Sequence, residues 1–226
     1  MAADFTAEVF MFDNILFDFD GTIMDTSPGI YDSFDRVIAH YRLDFPRSQY
    51  SRMIGPPLNE SFSKILKLPE DEIRNAIKIY RDYYSVEGMY NAEVYPGIVP
   101  LMENLRKADK KIFTATSKPE VFTRKIIEQK NMTHLFDFIG GSDAEEKGRT
   151  DKKDVVKYVL ETQNIAENKE RSILIGDRNY DVFGAHCCGI KCAGILWGFG
   201  DRDEFEKAGA DWIFETPEEL EIFLAG

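Results

Sequence analysis

The chain has 226 residues, 43% of them hydrophobic, and carries a formal net charge of -12 at pH 7. This length suits one large domain, or a core domain with a smaller second unit. The negative charge argues against a nucleic-acid partner and against an anionic membrane, because no basic stripe is present to bind phosphates. No apolar run approaches the ~20 residues of a membrane span, and the first eight residues lack the pattern of a secretory signal.

The cysteines lie close together, at Cys187, Cys188 and Cys192. They lack the paired spacing of a zinc site, and we interpret them as free thiols in a reducing compartment. The sequence therefore predicts a cytoplasmic protein, and a monomer is the default expectation.

The first predicted element is a buried strand that ends at Asp18, followed by Asp20 and a turn at Gly21-Thr22. A strand end of this kind places its acids at the open edge of an α/β sheet, where ligands bind. An Asp-Gly hairpin turn is the alternative interpretation. Two carboxylates ~4 Å apart repel each other by ~4 kcal/mol at an effective dielectric of 20. We therefore expect a divalent cation or a lysine beside them.

The next part of the chain has the periodicity of helices alone. Apolar residues recur at three and four positions over 30–41, 58–67 and 69–84. Gly55-Pro56-Pro57 forms a rigid break between the first two helices. We predict that residues 26–92 form a helical cap, inserted at the edge of a sheet where it is placed to act as a lid.

From Tyr95 onwards, strands and helices alternate. The predicted helices are 100–108, 119–130, 152–163, 181–188 and 217–224, and the predicted strands are 111–116, 136–139, 172–176, 192–196 and 211–214. This alternation predicts an α/β fold with a doubly wound parallel sheet. Residues 1–25 and 93–226 would form its core.

Further polar residues follow these predicted strands. Thr116 and Ser117 come at a strand-to-helix turn, a place for phosphate oxygens, although both are also ordinary helix caps. Asp177 follows a later buried strand and Asp181 comes four residues after it; a helix N-cap is the alternative for Asp177. Lys152 begins a helix, where its charge opposes the helix dipole, and a solvated surface lysine is the alternative.

Rival motifs for phosphate chemistry are absent from the sequence. It contains neither a P-loop nor a complete dinucleotide fingerprint. It also lacks a Gly-x-Ser-x-Gly elbow and a His-Glu-x-x-His helix. The carboxylates are therefore the one motif in the sequence that indicates phosphate chemistry.

In chain order, Asp18-Phe19-Asp20-Gly21-Thr22, Thr116-Ser117, Lys152 and Gly176-Asp177-Arg178-x-x-Asp181 resemble the four motifs of the haloacid dehalogenase superfamily. The resemblance is to its phosphatase branch, with a helical cap after the first motif. Three shorter stretches are similar to its phosphoglycolate phosphatase-like group, some members of which are 5′-nucleotidases. They are Ser27-Pro28-Gly29-Ile30, Ile54-Gly55-Pro56-Pro57-Leu58 and Trp197-Gly198-Phe199-Gly200. The lysine motif departs from the usual Lys-Pro-x-Pro form, so Lys153 and Arg149 are alternatives to Lys152.

The resemblance implies Mg²⁺-dependent hydrolysis of a small phosphate monoester through an aspartyl-phosphate. It makes Asp18 the nucleophile and Asp20 the general acid and base. The implied metal ligands are Asp18, Asp20 through its backbone carbonyl, Asp177 and Asp181. The implied phosphate-binding groups are Thr116, the Ser117 amide and Lys152.

Phosphoglycolate and nucleoside monophosphates are the substrates that this resemblance suggests. Arg52 and Gly55 are the candidate substrate contacts, and Arg47 and Lys64 also flank the Gly-Pro-Pro loop; exposed charges are the alternative for all three cations. A sugar-phosphate mutase would also keep Asp20, but Gly-Asp-Arg at the fourth motif argues against one. A receiver domain or a catalytically silent binding protein is the non-enzymatic alternative.

Overall fold

The computed structural model describes residues 12–143 and 148–225. Residues 1–11, 144–147 and 226 fall within the predicted core range but lie outside the described residues, as does the segment examined for a secretory signal. None of the helices in the described part of the chain has the length and apolar composition of a membrane span.

Two sheets are present in the described ranges. The strands are β1 (Asn14–Phe17), β2 (Met24–Asp25), β3 (Glu93–Val94), β4 (Lys111–Pro119), β5 (Phe138–Ser142), β6 (Ser172–Gly176), β7 (Lys191–Ile195) and β8 (Trp212–Phe214). Six of them form a parallel sheet in the order β5-β4-β1-β6-β7-β8. Strands β1 and β6 are buried along their whole length, as is usual when both faces of a parallel sheet are covered.

The helices of the described ranges are α1 (Ser27–Tyr41), α2 (Leu58–Glu60), α3 (Glu70–Tyr84), α4 (Ile98–Lys107), α5 (Glu120–Gln129), α6 (Lys152–Thr162), α7 (Asn179–Cys188), α8 (Arg202–Ala208) and α9 (Pro217–Ala225). Helices α4 to α9 flank the parallel sheet on both sides. Alternate residues of β1 face opposite sides of the sheet. Ile15 and Phe17 share a core with α4, α5 and α9, whereas Leu16 shares one with α6, α7 and α8. The prediction of a doubly wound parallel sheet is confirmed.

The chain between β2 and β3 is helical. A π-helical turn, Ser61–Ile65, continues α2, and 3-10 turns occur at Arg47–Met53 and Gly88–Tyr90. Strands β2 and β3 pair antiparallel at the base of this segment, with Met24 opposite Val94. They lie where the sequence places the ends of the cap, and the domain boundaries themselves stay a prediction.

Aromatic rings hold the cap together. Phe34 of α1 lies 5.2 Å from Tyr80 of α3 and 5.9 Å from Tyr50, measured between ring centroids. Phe62 packs edge-on against Phe34 at 6.1 Å. Phe34 and Phe62 are fully buried. The apolar residues of the cap are continuous with the core on one face of the sheet.

Strand β4 is longer than the sequence predicts. It continues through Thr116, Ser117 and Lys118 to Pro119, and its register against β5 shifts between Thr116 and Pro119. These three residues therefore lie on the irregular end of a strand, whereas the sequence predicts a turn into a helix. All three line the same cavity as Asp18.

Candidate active site

The central acids come from the ends of neighbouring strands. Asp18 directly follows β1, and its backbone N–H still bonds to the Ile175 carbonyl at 2.8 Å. Asp177 directly follows β6, and Asp181 lies in the first turn of α7. One carboxylate oxygen from each of these three acids lies within 4.8 Å of the other two. The topology thus brings together residues that are far apart in the sequence.

Tight turns make room for these acids. Gly21 has a φ of +84°, and a Cβ there would lie 2.1 Å from Asp177 Oδ2. The same Oδ2 accepts a hydrogen bond from the Phe199 N–H at 2.9 Å. Asp177 Oδ1 is buried and has no hydrogen-bond partner in the described ranges. An unsatisfied carboxylate oxygen beside two further acids suits a hard divalent cation, and the donor set therefore fits Mg²⁺.

The electrostatics of the group agree with a cation site. Burial raises the pKa of Asp177 well above its ordinary value, and the charges of Asp18 and Asp181 raise it further. Burial also raises the pKa of Asp181 to about 6, although the Lys152 ammonium opposes the rise. Without added positive charge, burial and mutual repulsion favour the protonated forms of these two acids.

Lys152 joins two of the acids. It is the first residue of α6 and is buried. Its Nζ lies 2.8 Å from Asp18 Oδ1 and 2.7 Å from Asp181 Oδ1, and it donates to the Ala115 carbonyl at 3.2 Å. Burial alone would lower the pKa of Lys152, but Asp18 and Asp181 outweigh it and hold that pKa above its ordinary value. The ammonium is therefore fixed in its charged form at the edge of the sheet.

The alternatives to Lys152 lie elsewhere. Lys153 has a half-exposed side chain, and its Nζ lies 3.6 Å from Asp151. Arg149 donates to the Gly141 carbonyl at 3.1 Å, and its guanidinium lies 3.9 Å from the ring centroid of Tyr158. The structure thus brings Lys152 to the acids, and neither of the other two.

Asp20 lies next to this group but is not a member of it. Its carboxylate binds the ammonium of Lys118, with Nζ 2.8 Å from Oδ1 and 3.0 Å from Oδ2. Lys118 is not among the residues that the sequence motifs indicate, although the repulsion between Asp18 and Asp20 predicts a nearby lysine. A basic residue directly after Thr116-Ser117 at a strand end was the available signal.

The hydroxyl residues of the second motif stand beside Lys118. Thr116 is buried, and its Oγ1 accepts from the Lys118 N–H at 3.1 Å. Thr116 and Ser117 both line a cavity that Asp18 and Lys152 also reach. This end of the cavity offers hydroxyl, amide and ammonium donors opposite the acids.

The cavity lies between the sheet edge and the cap, and its volume is about 330 Å³. One end is formed by the acids and Lys152. The walls toward the cap are mostly apolar, and the lining includes the cap residues Phe34, Tyr80 and Tyr84 and Phe122 of α5. Residues 54–58 of the Gly-Pro-Pro loop line it as well. The site therefore combines a charged end with a wide apolar end.

The predicted substrate contacts separate into two classes. Gly55 lines the cavity, has a φ of +101°, and faces the Arg178 side chain. Arg52 is exposed, bonds to Gln49 at 3.1 Å, and is not among the residues that line the cavity. The buried Met53 and Ile54 occupy the inward positions, so the 3-10 turn directs Arg52 outward.

Arg47 and Lys64 also lie away from the cavity lining. Arg47 pairs with Asp32 at 2.7 Å, and Lys64 pairs with Glu60 at 2.8 Å. The structure therefore does not bring Arg52 to the cavity, and a contact between Arg52 and the substrate stays a prediction. Arg81 of the cap lines the cavity instead.

Comparison with known families agrees with this geometry. A family model described as haloacid dehalogenase-like hydrolase matches residues 15–195. The chain belongs to the haloacid dehalogenase-like hydrolase family. The matched range includes every acid described above, together with Lys118 and Lys152.

Individual relatives of this hydrolase carry different names. A 5′-nucleotidase of Pseudomonas aeruginosa is 35% identical over 84% of this chain and 86% of its own. The tyrosine-protein kinase PtkA of Mycobacterium tuberculosis is 32% identical over 85% of this chain and 65% of its own. A crystal structure of a predicted phosphatase from Clostridium acetobutylicum has a TM-score of 0.89 at 36% identity, covering 94% of this chain and 97% of its own. The resemblance and the assignment as a phosphatase are confirmed.

Proposed function

We propose that this phosphatase hydrolyses nucleoside monophosphates through an aspartyl-phosphate on Asp18, with Mg²⁺ as its cofactor. The observation that carries the proposal is the group of three acids, two of which bind the Lys152 ammonium, facing a cavity with mostly apolar walls. The anionic and cationic groups suit phosphoryl transfer. The apolar walls suit the remainder of the substrate.

The chemistry follows from the positions of the side chains. An oxygen of Asp18 attacks phosphorus, the ester P–O bond breaks, and Asp20 gives its proton to the departing alcohol oxygen. Water then attacks the same phosphorus, Asp20 takes the proton, and the bond to Asp18 breaks to release phosphate. Lys152 orients Asp18 throughout, since it holds one oxygen of that carboxylate at 2.8 Å.

Three carboxylates would hold the metal: Asp18, Asp177 and Asp181, with the unsatisfied Oδ1 of Asp177 as one donor. The backbone carbonyl of Asp20 completes this set in the proposal. Bound Mg²⁺ supplies positive charge that neutralises the acids and the phosphate. Lys152, Thr116 and the Ser117 amide are proposed to bind the phosphate oxygens, because they line the same end of the cavity.

Three observations favour a nucleoside over glycolate as the leaving group. The walls of the cavity toward the cap are mostly apolar and suit the apolar faces of a nucleobase. The relative from Pseudomonas aeruginosa is named a 5′-nucleotidase. Phosphoglycolate is smaller and would leave most of a cavity of about 330 Å³ to water.

A second candidate function is transfer of the phosphoryl group to an acceptor other than water. The likeness to a tyrosine-protein kinase favours it. The first half of the reaction would be the same, and an alcohol or phenol would replace water in the second half. We propose that the enzyme acts as a monomer in the cytoplasm. Its proposed partner is the small phosphorylated substrate, and we propose no nucleic-acid or membrane partner.

Phosphate release from a panel of esters tests the proposal. The panel holds nucleoside monophosphates, phosphoglycolate, sugar phosphates, pyrophosphate and p-nitrophenyl phosphate, each with and without Mg²⁺. We expect Mg²⁺-dependent turnover, highest kcat/KM on a nucleoside monophosphate, and loss of at least about 10³-fold in Asp18→Asn. Asp82→Asn removes an exposed cap carboxylate and serves as the matched control.

Each outcome of this panel has one meaning. Turnover that survives in Asp18→Asn, or that ignores Mg²⁺, would contradict the mechanism. Preference for phosphoglycolate would contradict the substrate. Phosphate that appears on an added tyrosine peptide rather than in solution would favour the transferase.

A further inference from the structure

The ion pair between Asp20 and Lys118 is buried at its lysine end and open to the cavity at its aspartate end. The Lys118 side chain is 3% exposed, whereas that of Asp20 is 19% exposed and faces the cavity. Asp20 is the anionic partner of Lys118, and no other acid in residues 12–143 and 148–225 lies within ion-pair distance of its ammonium. A buried ammonium needs such a partner, because leaving it unpaired is costly.

The geometry of the ion pair leaves Asp20 able to accept a proton. Nζ contacts both carboxylate oxygens, at 2.8 and 3.0 Å, which fixes the plane of the carboxylate. A carboxylate has about four lone-pair sites. Each oxygen therefore keeps a site that can accept a proton from elsewhere.

A cap residue completes the enclosure. Tyr84, the last residue of α3, places its ring centroid 4.7 Å from Lys118 Nζ, and Phe19 lies on another side at 5.9 Å. The Tyr84 ring is held in place by stacking on Tyr80 at 5.5 Å and by the edge of Phe122 at 5.9 Å. A cation over the face of an aromatic ring is attracted to it. The position of Lys118 thus depends on both the sheet edge and the cap.

We propose that Lys118 is a positioning residue, which holds Asp20 for the water step, and that Tyr84 of the cap holds Lys118 in turn. The inference rests on the proposed aspartyl-phosphate mechanism. In that step, water attacks phosphorus, its proton passes to a free lone pair of Asp20, and the electron pair of the broken P–O bond returns to Asp18. Lys118 keeps its own proton throughout.

This role predicts which half of the reaction fails without Lys118. Nitrophenolate is a good leaving group and needs little help from an acid, so Asp18 can still be phosphorylated by p-nitrophenyl phosphate. The water step still needs Asp20 in position. A variant without Lys118 should therefore accumulate the phosphorylated enzyme.

Stopped-flow kinetics with p-nitrophenyl phosphate and Mg²⁺ measures this directly. In Lys118→Met we expect a burst of about one nitrophenolate per enzyme, followed by a steady-state rate lowered about 10²-fold. Lys118→Arg keeps the charge and should recover part of that rate. Lys78→Met, which removes an exposed ion pair with Asp82, is the matched control and should behave as the wild type.

A double-mutant cycle identifies the residue through which Lys118 acts. Asp20→Asn should show the same burst, and adding Lys118→Met to it should lower the steady-state rate no further. Multiplicative losses, or a Lys118→Met variant that slows the burst and the steady state equally, would overturn the proposal. A wild-type protein without any turnover would instead overturn the proposed function as a whole.

Tyr84 provides a second route to the same test. Tyr84→Leu keeps the ion pair and removes the ring, so it serves where Lys118→Met fails to fold in a thermal melt. We expect a burst followed by a steady-state rate about 10-fold below wild type, with a smaller loss in Tyr84→Phe. A Tyr84→Leu variant that shows no change in the water step would overturn the part assigned to the cap.

Discussion

Among single residues, Lys152 contributes to stability as well as to the proposed chemistry. Its ammonium lies between Asp18 and Asp181, and all three side chains are nearly or fully buried. Removing one partner of a buried ion pair leaves uncompensated charge and costs about 3–5 kcal/mol. We expect Lys152→Met to lower the free energy of unfolding by this amount in urea titrations, and phosphatase activity by about 10²–10³-fold.

Lys153→Met is the matched control for this prediction. Lys153 is the next residue in the chain, but its side chain is 53% exposed and points to Asp151. An exposed pair of this kind contributes at most about 1 kcal/mol. Equal effects of the two substitutions would contradict the assignment of Lys152 as the cation of the site.

The residues of the site differ in whether the sequence alone predicts them. The central acids are predictable because Asp18 and Asp177 each directly follow a buried strand. Lys118 also comes at the end of a strand, but nothing in the sequence shows that its charge meets Asp20 rather than solvent. Arg52 is the opposite case, because the sequence selects it and the structure places it outside the cavity lining. It is close to the cavity loop in the sequence, but the direction of its side chain depends on which neighbours are buried.

Between elements, Arg178 joins the loop before α7 to the cap. Its Nε bonds to Glu204 of α8 at 3.0 Å, and its guanidinium donates to the Ile54 carbonyl of the cavity loop. Without this contact, the loop would sample positions away from the substrate before it binds. We expect Arg178→Met to raise KM about 10-fold, equivalent to ~1.4 kcal/mol, with a smaller effect on kcat.

Hydrogen exchange measured by mass spectrometry checks the structural cause. The amides of residues 53–59 should exchange faster in Arg178→Met than in the wild type, because the loop has lost its contact with the core. Arg202→Met removes an exposed ion pair with Glu215 and should change neither quantity. Unchanged exchange with a raised KM would mean that Arg178 acts on the substrate directly.

Element α8, which supplies Glu204, is also the helix that the sequence does not predict. Its seven residues include one fully buried apolar side chain, Phe205, and most of the others are charged. A single apolar position gives no period to recognise. Strands β2 and β3 have two residues each and are missed for the same reason, whereas the long helices α1 and α3 show their periods clearly.

For the molecule as a whole, the acids and their cation link stability to pH. Burial raises the pKa of Asp181 to about 6, above its ordinary value of 3.8. The raised value means that the folded state holds this proton more tightly than the unfolded state does. Its contribution to metal-free stability is therefore complete below about pH 4 and is lost as the pH rises through about 6.

Bound Mg²⁺ should reverse this trend, because a metal binds the carboxylates only after they lose their protons. We expect the rise in Tm caused by Mg²⁺, relative to EDTA at equal ionic strength, to be small at pH 4.5. It should grow through pH 6 and level off above pH 7, since the stabilisation follows RT ln(1 + [Mg²⁺]/Kd). Differential scanning fluorimetry across this range measures it. Asp177→Asn removes one proposed ligand and should abolish most of the rise. A Mg²⁺-induced shift that stays constant from pH 4.5 to 8, or that survives in Asp177→Asn, would place the metal away from these acids.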